Sequence, residues 1–160
     1  MRIVRAQPED LEDIVRLNRQ FVTIFRKKGR DPPRYANGAY DIKDVTRERI
    51  EGNLLKDRYF LAKEDGYTLG AMSLWLPAYR CKTTSEIATL AVRLGMQRKG
   101  IGTRLVDHAI KRSKTAGMRH LIVASYCIYD AKKFYLNAGF RFSGMSRNGR
   151  CRSYYFCMDL

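Results

Sequence analysis

The sequence is short of acidic side chains. It holds 16 Asp and Glu residues against 31 Lys and Arg residues, which gives a formal net charge of +15. The shortage is uneven, because residues 81–160 hold 15 basic and four acidic side chains, a net charge of +11. A positive field of this kind attracts anions. It favours a polyanionic cofactor, a nucleic acid or both as partners, with a solvated basic surface as the alternative.

Cysteine is scarce and is not spaced for metal binding. No two of the four cysteines have C-x-x-C spacing; they are Cys81, Cys127, Cys151 and Cys157. His108 and His120 lie far along the chain from any pair of cysteines. We therefore expect no zinc site and no other metal. Cys151 and Cys157 are an even number of residues apart in a predicted strand. In a reducing compartment we expect them to be buried thiols rather than a disulfide.

Long apolar runs are also absent. No stretch approaches the roughly 18 apolar residues of a membrane span, and the N-terminus turns acidic at Glu9 and Asp10, too early for a signal peptide. We expect a cytoplasmic protein without membrane contact. The length of 160 residues and the hydrophobic content of 45% predict a single domain over residues 1–160, with no repeats or low-complexity segments.

Hydrophobic periodicity predicts seven strands and four helices. The predicted strands are Ile3–Ala6, Tyr59–Ala62, Leu69–Leu76, Thr84–Val92, His120–Ser125, Phe140–Ser143 and Ser153–Met158. The predicted helices run from Pro8 to about Phe25, from a cap at Asp44 or Thr46 to about Lys56, from about Ile101 to Gly117, and from Tyr129 to Ala138. This order predicts an α/β fold: a mixed, mostly antiparallel sheet of about seven strands with helices on both faces.

Glycine, proline and charge mark the connections. Asp65-Gly66 predicts a hairpin turn, and Asn148-Gly149 predicts a turn between the last two strands. The segment from Arg26 to Asp41 is too rich in Pro, Gly and charge for regular structure. It is the longest predicted loop, and long loops in compact domains are often functional.

The most informative segment joins the fourth strand to the third helix. Leu90-Ala91-Val92 is followed by the basic turn Gln97-Arg98-Lys99-Gly100-Ile101-Gly102. Glycine allows close approach of the backbone, and a helix start offers N–H groups and a positive dipole to a phosphate. Neither a Walker loop nor a dinucleotide fingerprint fits, because no Lys-Ser/Thr follows Gly100 and Leu105 stands where a third glycine would be. Taken alone, the turn is equally compatible with a plain strand-to-helix connection.

Three motifs together resemble the GNAT superfamily of N-acetyltransferases, which move acetyl from acetyl-CoA to an amine. Gln97–Gly102, after Leu90-Ala91-Val92, resembles the family's Gln/Arg-x-x-Gly-x-Gly/Ala pyrophosphate loop. Ala131–Phe140 resembles its short helix ending in Gly-Phe, and Glu86–Val92 resembles the strand that carries its general base. The resemblance covers nearly the whole chain. It implies a GNAT-like acyl-CoA acyltransferase fold, acetyl-CoA as cosubstrate, and direct transfer without a covalent enzyme intermediate.

The resemblance implies a cofactor site built mainly from backbone. N–H groups from about Arg98 to Thr103 would hold the pyrophosphate. Groups near Leu90 and Val92 would pair with the pantetheine arm and hold the oxyanion of the tetrahedral intermediate. The implied cofactor-binding residues are Leu90, Ala91, Val92, Gln97, Arg98, Lys99, Gly100, Ile101, Gly102 and Thr103. Ile128 stands where the family often has Asn, so no side-chain contact to pantetheine is expected there.

The resemblance implies two catalytic residues, Glu86 and Tyr135. Glu86 would take the proton of the amine directly or through a water, although a carboxylate near a strand start is also compatible with simple solvation. Tyr135 matches the tyrosine that protonates the CoA thiolate, and its alternative is a core tyrosine with its hydroxyl at the surface. Tyr126 and Tyr129 are nearby substitutes for the acid.

No motif identifies the acceptor amine. The expected acceptor wall is basic and aromatic and comprises Arg26–Asp41, Tyr79-Arg80 and Arg147–Arg152. Its charge favours a neutral or acidic small amine or a peptide over a polycation, unless Asp31, Asp41 and Asp44 cluster locally. A nucleic-acid-associated binding domain, or an amine on an RNA-bound substrate, remains the alternative, although no nucleic-acid-binding signature is present. A homodimer through an edge strand such as Tyr154–Phe156 is also open.

Overall fold

The computed structural model describes residues 1–34, 45–79, 81–148 and 151–160. Within these ranges the chain forms seven strands and four α-helices. In chain order they are β1 (Arg2–Arg5), α1 (Leu11–Lys27), α2 (Arg47–Leu54), β2 (Tyr59–Glu64), β3 (Tyr67–Trp75), β4 (Thr84–Val92), α3 (Ile101–Thr115), β5 (His120–Tyr126), α4 (Lys132–Asn137), β6 (Arg141–Asn148) and β7 (Cys151–Asp159). Short 3₁₀ turns at Pro8–Asp10 and Cys127–Tyr129 precede α1 and α4.

All seven strands form one sheet in the order β1-β2-β3-β4-β5-β7-β6. Neighbouring strands are antiparallel except β4 and β5, which are parallel because α3 crosses over between them. The predicted mixed, mostly antiparallel sheet is therefore confirmed. The predicted edge strand is wrong: β7, which contains Tyr154–Phe156, lies between β5 and β6, and the last hairpin places β6 at the edge.

The two faces of the sheet carry separate hydrophobic cores. On one face, Ile101, Leu105, Val106 and Ala109 of α3 are buried against the sheet, as their helical spacing predicts. On the other face, Ile14, Val15 and Leu17 of α1 pack with Ile50 and Leu54 of α2. Helices therefore cover both faces, as expected. Arg112 of α3 is half-buried, with its guanidinium 5.9 Å from the centre of the Phe60 ring.

Charge and capping residues fix the helix ends. Acidic Glu12 and Asp13 lie in the first turn of α1, and basic Arg26 and Lys27 lie in its last turn, where the helix dipole favours each sign. Thr46 caps α2 by accepting a hydrogen bond of 3.4 Å from the Arg49 N–H, as predicted for this position. The alternative cap, Asp44, lies outside the described residues.

Two predicted elements differ from the observed ones by more than a few residues or are divided. The predicted helix Tyr129–Ala138 is divided, because Asp130 has a φ of 54° and separates the 3₁₀ turn from α4. The predicted strand Phe140–Ser143 extends to Asn148, since pairing with β7 supplies its backbone hydrogen bonds. The turn predicted at Asn148-Gly149 includes Gly149, which lies outside the described residues, as do residues 35–44 of the predicted long loop.

The cysteines and the helix lengths bear on two further expectations. All four cysteines are free thiols, as expected, but Cys151 is buried whereas Cys157 is only half-buried. Within the described ranges, no helix is both long enough and apolar enough to cross a membrane.

Leu105 provides a test of the α3 core. It is fully buried, whereas Leu55 at the end of α2 is 80% exposed. Leu105→Ala should lower the free energy of unfolding by about 2–5 kcal/mol, because it removes buried methyl groups and leaves a cavity. Leu55→Ala should change it by less than about 0.5 kcal/mol. Urea unfolding measures both, and equal effects of the two substitutions would contradict the assignment of the core.

Candidate active site

A break in strand pairing at the centre of the sheet creates the candidate site. β4 and β5 pair over only four positions, from Thr84 opposite His120 to Ile87 opposite Val123. On its other side β4 remains paired with β3 as far as Val92, but Ser73 lies opposite Thr89 and Leu74 lies opposite Ile87. Ala88 is therefore an extra residue, a β-bulge at the point where β4 and β5 separate.

The bulge also reverses the faces of β4. Ile87 belongs to the core under α3, whereas Ala91, four residues later, belongs to the core under α1 and α2. In a regular strand these residues would share a face, because side chains alternate with a period of two. Leu90 and Val92 consequently pack towards α3. The reversal gives the two ends of β4 different surroundings within the same cleft.

A cleft of about 1000 Å³ occupies the gap between the separated strands. One wall is β4 from Glu86 to Val92, and the other is β5 from Ile122 to Tyr126. The first turn of α3 and α4 border one end of the cleft, and α1 with the β6–β7 hairpin border the other. Its volume is that of a site for a cofactor-sized ligand.

The glycine turn lies at the α3 end of the cleft. Gly100 has a φ of 77° and immediately precedes α3, and Arg98 also has a positive φ, of 62°. Alternating backbone conformations of this kind point successive N–H groups in one direction and make an anion-binding nest. Gly102 has a different role, since a Cβ there would lie 3.2 Å from Cζ of Phe134 and 3.8 Å from Cδ2 of Leu90. It lets α3 approach α4 closely.

Most of the cofactor-binding residues expected from the sequence lie together here. Those that line the cleft are Leu90, Ala91, Val92, Gln97, Arg98, Gly100, Gly102 and Thr103. Two do not line it: the Ile101 side chain is buried in the core under α3, and Lys99 is exposed with its Nζ 3.8 Å from Sδ of Met96. The backbone N–H of Ile101 still belongs to the first turn of α3, where helix N–H groups have no intrahelical partner.

Glu86 is half-buried and lines the cleft just before the bulge. Its neighbours across the sheet are Trp75 on β3 and Ile122 on β5. Adjacent Ile87 points into the core under α3, so Glu86 points to the opposite face, the one covered by α1. The carboxylate therefore belongs to the α1 side of the cleft.

Tyr135 lies on α4 at the opposite wall. Its ring is buried and packs against Phe134, Phe140 and Phe156, with ring centres 5.0, 5.7 and 5.3 Å away. Burial raises the pKa of its phenol above the ordinary value. Tyr135 both packs in the core and lines the cleft, so a packing role is compatible with a role as proton donor. A raised pKa keeps the hydroxyl protonated at neutral pH.

Two buried hydroxyls line the cleft: the sequence suggested Tyr129 only as a substitute acid, and it did not suggest Thr89. Thr89 Oγ1 on β4 and the Tyr129 hydroxyl have no hydrogen-bond partner among the described residues. Burial, together with neighbouring Tyr126 and Cys151, raises the pKa of Tyr129. Buried polar groups are normally paired, so these two suit a ligand that supplies the missing partners. A cofactor-sized ligand lying along β4 fits both the volume and the orphaned groups.

The α1 end of the cleft is aromatic. Phe21 and Phe25 of α1 form a cluster with Tyr126 and Tyr129, with ring centres 5.3 to 6.0 Å apart. Gln20 is fixed at the same end by accepting a hydrogen bond of 3.0 Å from the Leu94 N–H. The helical period of α1 predicts a buried stripe but not a stripe that reaches a ligand, so sequence reasoning missed this wall.

His120, Cys157 and Asp159 lie together outside the cleft, although the sequence places the histidines far from the cysteines. Their candidate ligand atoms lie within 4.8 Å of one another. The Asp159 carboxylate is 3.0 Å from His120 Nδ1 and 2.5 Å from the Arg141 guanidinium. The group is therefore an ion-paired cluster where β5 begins and β7 ends, formed by strand register.

Solved structures share this fold over the whole chain. The protein Ard1 from Thermoplasma volcanium is 17% identical with a TM-score of 0.76, over 99% of this chain and 97% of that protein. An N-acetyltransferase from Staphylococcus aureus Mu50 is 17% identical with a TM-score of 0.75, over 99% and 97% of the two chains. N-acetylglutamate synthase from Neisseria gonorrhoeae, complexed with coenzyme A and N-acetyl-glutamate, is 21% identical with a TM-score of 0.71, over 99% of this chain and 35% of that enzyme.

Sequence comparison gives the family. No curated protein matches the chain by sequence. The family model described as the acetyltransferase (GNAT) family matches residues 21–140, which include the end of α1, the glycine turn and α4. The chain belongs to the GNAT acetyltransferase family and is an acetyl-CoA-dependent N-acetyltransferase.

Proposed function

We propose that residues 1–160 form one N-acetyltransferase domain that transfers acetyl directly from acetyl-CoA to a primary amine held at the α1 end of the cleft. The gap between β4 and β5 carries this proposal, because the cleft within it is lined by both the glycine turn and the half-buried Glu86. Two substrates entering from opposite ends meet in the middle, so positioning supplies much of the rate enhancement.

The cofactor end of the cleft would hold the pyrophosphate and pantetheine of acetyl-CoA. The nest from Arg98 to Thr103 faces the cleft with backbone N–H groups and the positive end of α3. From Ala88 to Val92 the β5 side of β4 is without a neighbouring strand, so an extended arm pairs with it as an added strand does. An N–H group there would also stabilise the oxyanion that forms during transfer.

Glu86 is the proposed general base. An amine is protonated at neutral pH and must lose a proton before it attacks the thioester. The Glu86 carboxylate points into the α1 side of the cleft, where the amine arrives, and accepts this proton directly or through a water.

Tyr135 is the proposed donor to the departing sulfur. Over the whole reaction the ammonium group loses two protons, of which one goes to solvent and one ends on the thiol of CoA. Tyr135 lines the cleft and would donate its phenol proton as the carbon–sulfur bond breaks. Tyr126 and Tyr129 line the same cleft and are the alternative donors.

The acceptor proposed is a neutral or acidic small amine, or a peptide, rather than a polycation. Residues 81–160 carry a net charge of +11, and Lys28, Arg30 and Arg147 lie near the α1 end of the cleft. A polycation would be repelled by this field. One protein of the same fold, the Neisseria gonorrhoeae synthase, is complexed with N-acetyl-glutamate, which is acidic.

Gly102→Ala tests the cofactor end. The added methyl group would lie 3.2 Å from Cζ of Phe134, so the Phe134 ring must shift by a few tenths of an ångström beside the glycine turn. The dissociation constant of acetyl-CoA should rise about tenfold, consistent with the usual cost of overpacking. Calorimetry measures it, and Gly52→Ala on α2, where a Cβ meets nothing within 4 Å, is the control. Equal affinities of the two variants would contradict this placement.

Glu86→Gln tests the base. Gln cannot accept a proton, so kcat should fall about 10²-fold or more. The limb of the pH–rate profile that reports ionisation of the base should also be lost, with acetyl-CoA affinity unchanged. Glu51→Gln on exposed α2 serves as the matched control. A profile identical to that of the parent would transfer the role to water or to another residue.

Tyr135→Phe tests the acid. The substitution keeps the ring contacts with Phe134, Phe140 and Phe156 and removes only the hydroxyl. We expect kcat to fall about 10²-fold or more, with little change in acetyl-CoA affinity. Steady-state assays of Tyr126→Phe and Tyr129→Phe identify the alternatives. Unchanged turnover in Tyr135→Phe would remove it from the mechanism.

A further inference from the structure

A second pocket, of about 710 Å³, lies beside the α1 end of the cleft. It is enclosed by the end of α1, the 3₁₀ turn Cys127–Tyr129 and the far end of the β6–β7 hairpin. Its floor is apolar, because Phe25 and Cys151 are buried there in one hydrophobic cluster. Its rim carries the phenols of Tyr126 and Tyr154.

Four cations converge on this pocket from three separate segments. Lys28 and Arg30 come from the end of α1 and the residues after it, Arg147 from β6 and Arg152 from β7. Among the described residues that line it, none is Asp or Glu. Lys28 is held in place, since its Nζ donates a hydrogen bond of 2.6 Å to the Ile128 carbonyl oxygen. A cluster of positive side chains around a pocket attracts an anionic ligand.

The register of the hairpin places two of these cations side by side. Arg147 on β6 lies directly opposite Arg152 on β7, and both are exposed. Side chains directly opposite each other in an antiparallel pair are about 5 Å apart at Cβ, and like charges there destabilise the pair. Two guanidinium groups at this spacing can bind one carboxylate or phosphate with several N–H donors, which removes the repulsion.

We infer that this pocket binds an oxyanion of the acetyl acceptor, a carboxylate or a phosphate, while its amine reaches Glu86 in the cleft. This inference rests on the proposed acetyl transfer and specifies its substrate class.

Tyr126 connects the two sites. It lines both the cleft and the second pocket, and its ring packs edge-on against Phe25 with 5.5 Å between ring centres. Ile122 lies opposite Glu86 and is four residues before Tyr126 on β5, so the path along the strand is about 13 Å. An acceptor whose amine and oxyanion are separated by roughly this distance would occupy both sites at once.

Short peptides provide the test, because their N-terminal amine and C-terminal carboxylate are separated by a controlled length of about 3.5 Å per residue. Peptides of two to six residues are assayed for CoA release in pairs, one with a free C-terminal carboxylate and one with a carboxamide. A third arm ends in phosphoserine amide, which distinguishes phosphate from carboxylate. We expect the KM of the acidic peptide to be about tenfold lower than that of its amide at the best length, as for a charge-assisted hydrogen bond.

Arg152→Gln should raise the KM of the acidic peptide towards that of its amide. The control is Arg2→Gln, since exposed Arg2 is on β1 at the opposite edge of the sheet and its substitution removes the same charge. Equal use of acidic and amidated peptides by the parent protein would overturn the inference. So would a rise in both KM values in Arg152→Gln.

A direct binding measurement with citrate tests the anion pocket independently of catalysis. Citrate is titrated by calorimetry into protein saturated with CoA at constant ionic strength, so that the glycine turn is already occupied. Binding that is present in the parent and in Arg2→Gln but lost in Arg152→Gln supports the anion pocket even if no peptide is acetylated. Absence of citrate binding by the parent overturns it, whereas failure of acetyl-CoA to bind or react would instead contradict the proposed function.

Discussion

The parting of β4 and β5 is the constraint on which the rest of the site depends. The two strands are parallel neighbours for four positions and then separate at the bulge residue Ala88. A continuous sheet would fill its centre with backbone hydrogen bonds and side chains and would leave no room for a ligand. Because the strands separate, one edge of β4 and the end of β5 face a cleft that crosses the sheet.

The two cores hold this opening in shape. α3 and α4 cover one face and come close together at Gly102, so the glycine turn is fixed relative to Tyr135. α1 and α2 cover the other face, and the aromatic cluster around Phe25 and Tyr129 closes the remaining side. In the proposed function, the cofactor uses the electropositive end of the cleft at the glycine turn, and the amine uses the aromatic, basic end at α1.

Much of the fold could be predicted from the sequence, because the strands and α3 have strong apolar periodicity and glycine marks their ends. The separation of the 3₁₀ turn Cys127–Tyr129 from α4 could not be predicted, because it depends on the left-handed conformation of Asp130. Asp is a residue of ordinary type for a helix start. The predicted edge strand was also wrong, because the hydrophobic pattern does not say which strand of the last hairpin pairs with β5.

The proposed cofactor-binding residues form contiguous motifs, so their grouping in space was expected. Thr89, the α1 wall and the Arg147–Arg152 pair depend on register and packing between distant segments, which a sequence alone does not give.

Amide hydrogen exchange with and without CoA tests the central claim most directly, because it reports each backbone N–H that the cofactor covers. The arrangement of the cleft predicts that added CoA slows exchange at residues 88–92 and at the glycine turn, 98–103, while β1 and β2 exchange as before. Unchanged exchange in both segments, or protection confined to another surface, would contradict the assignment of the gap between β4 and β5 as the acetyl-CoA site.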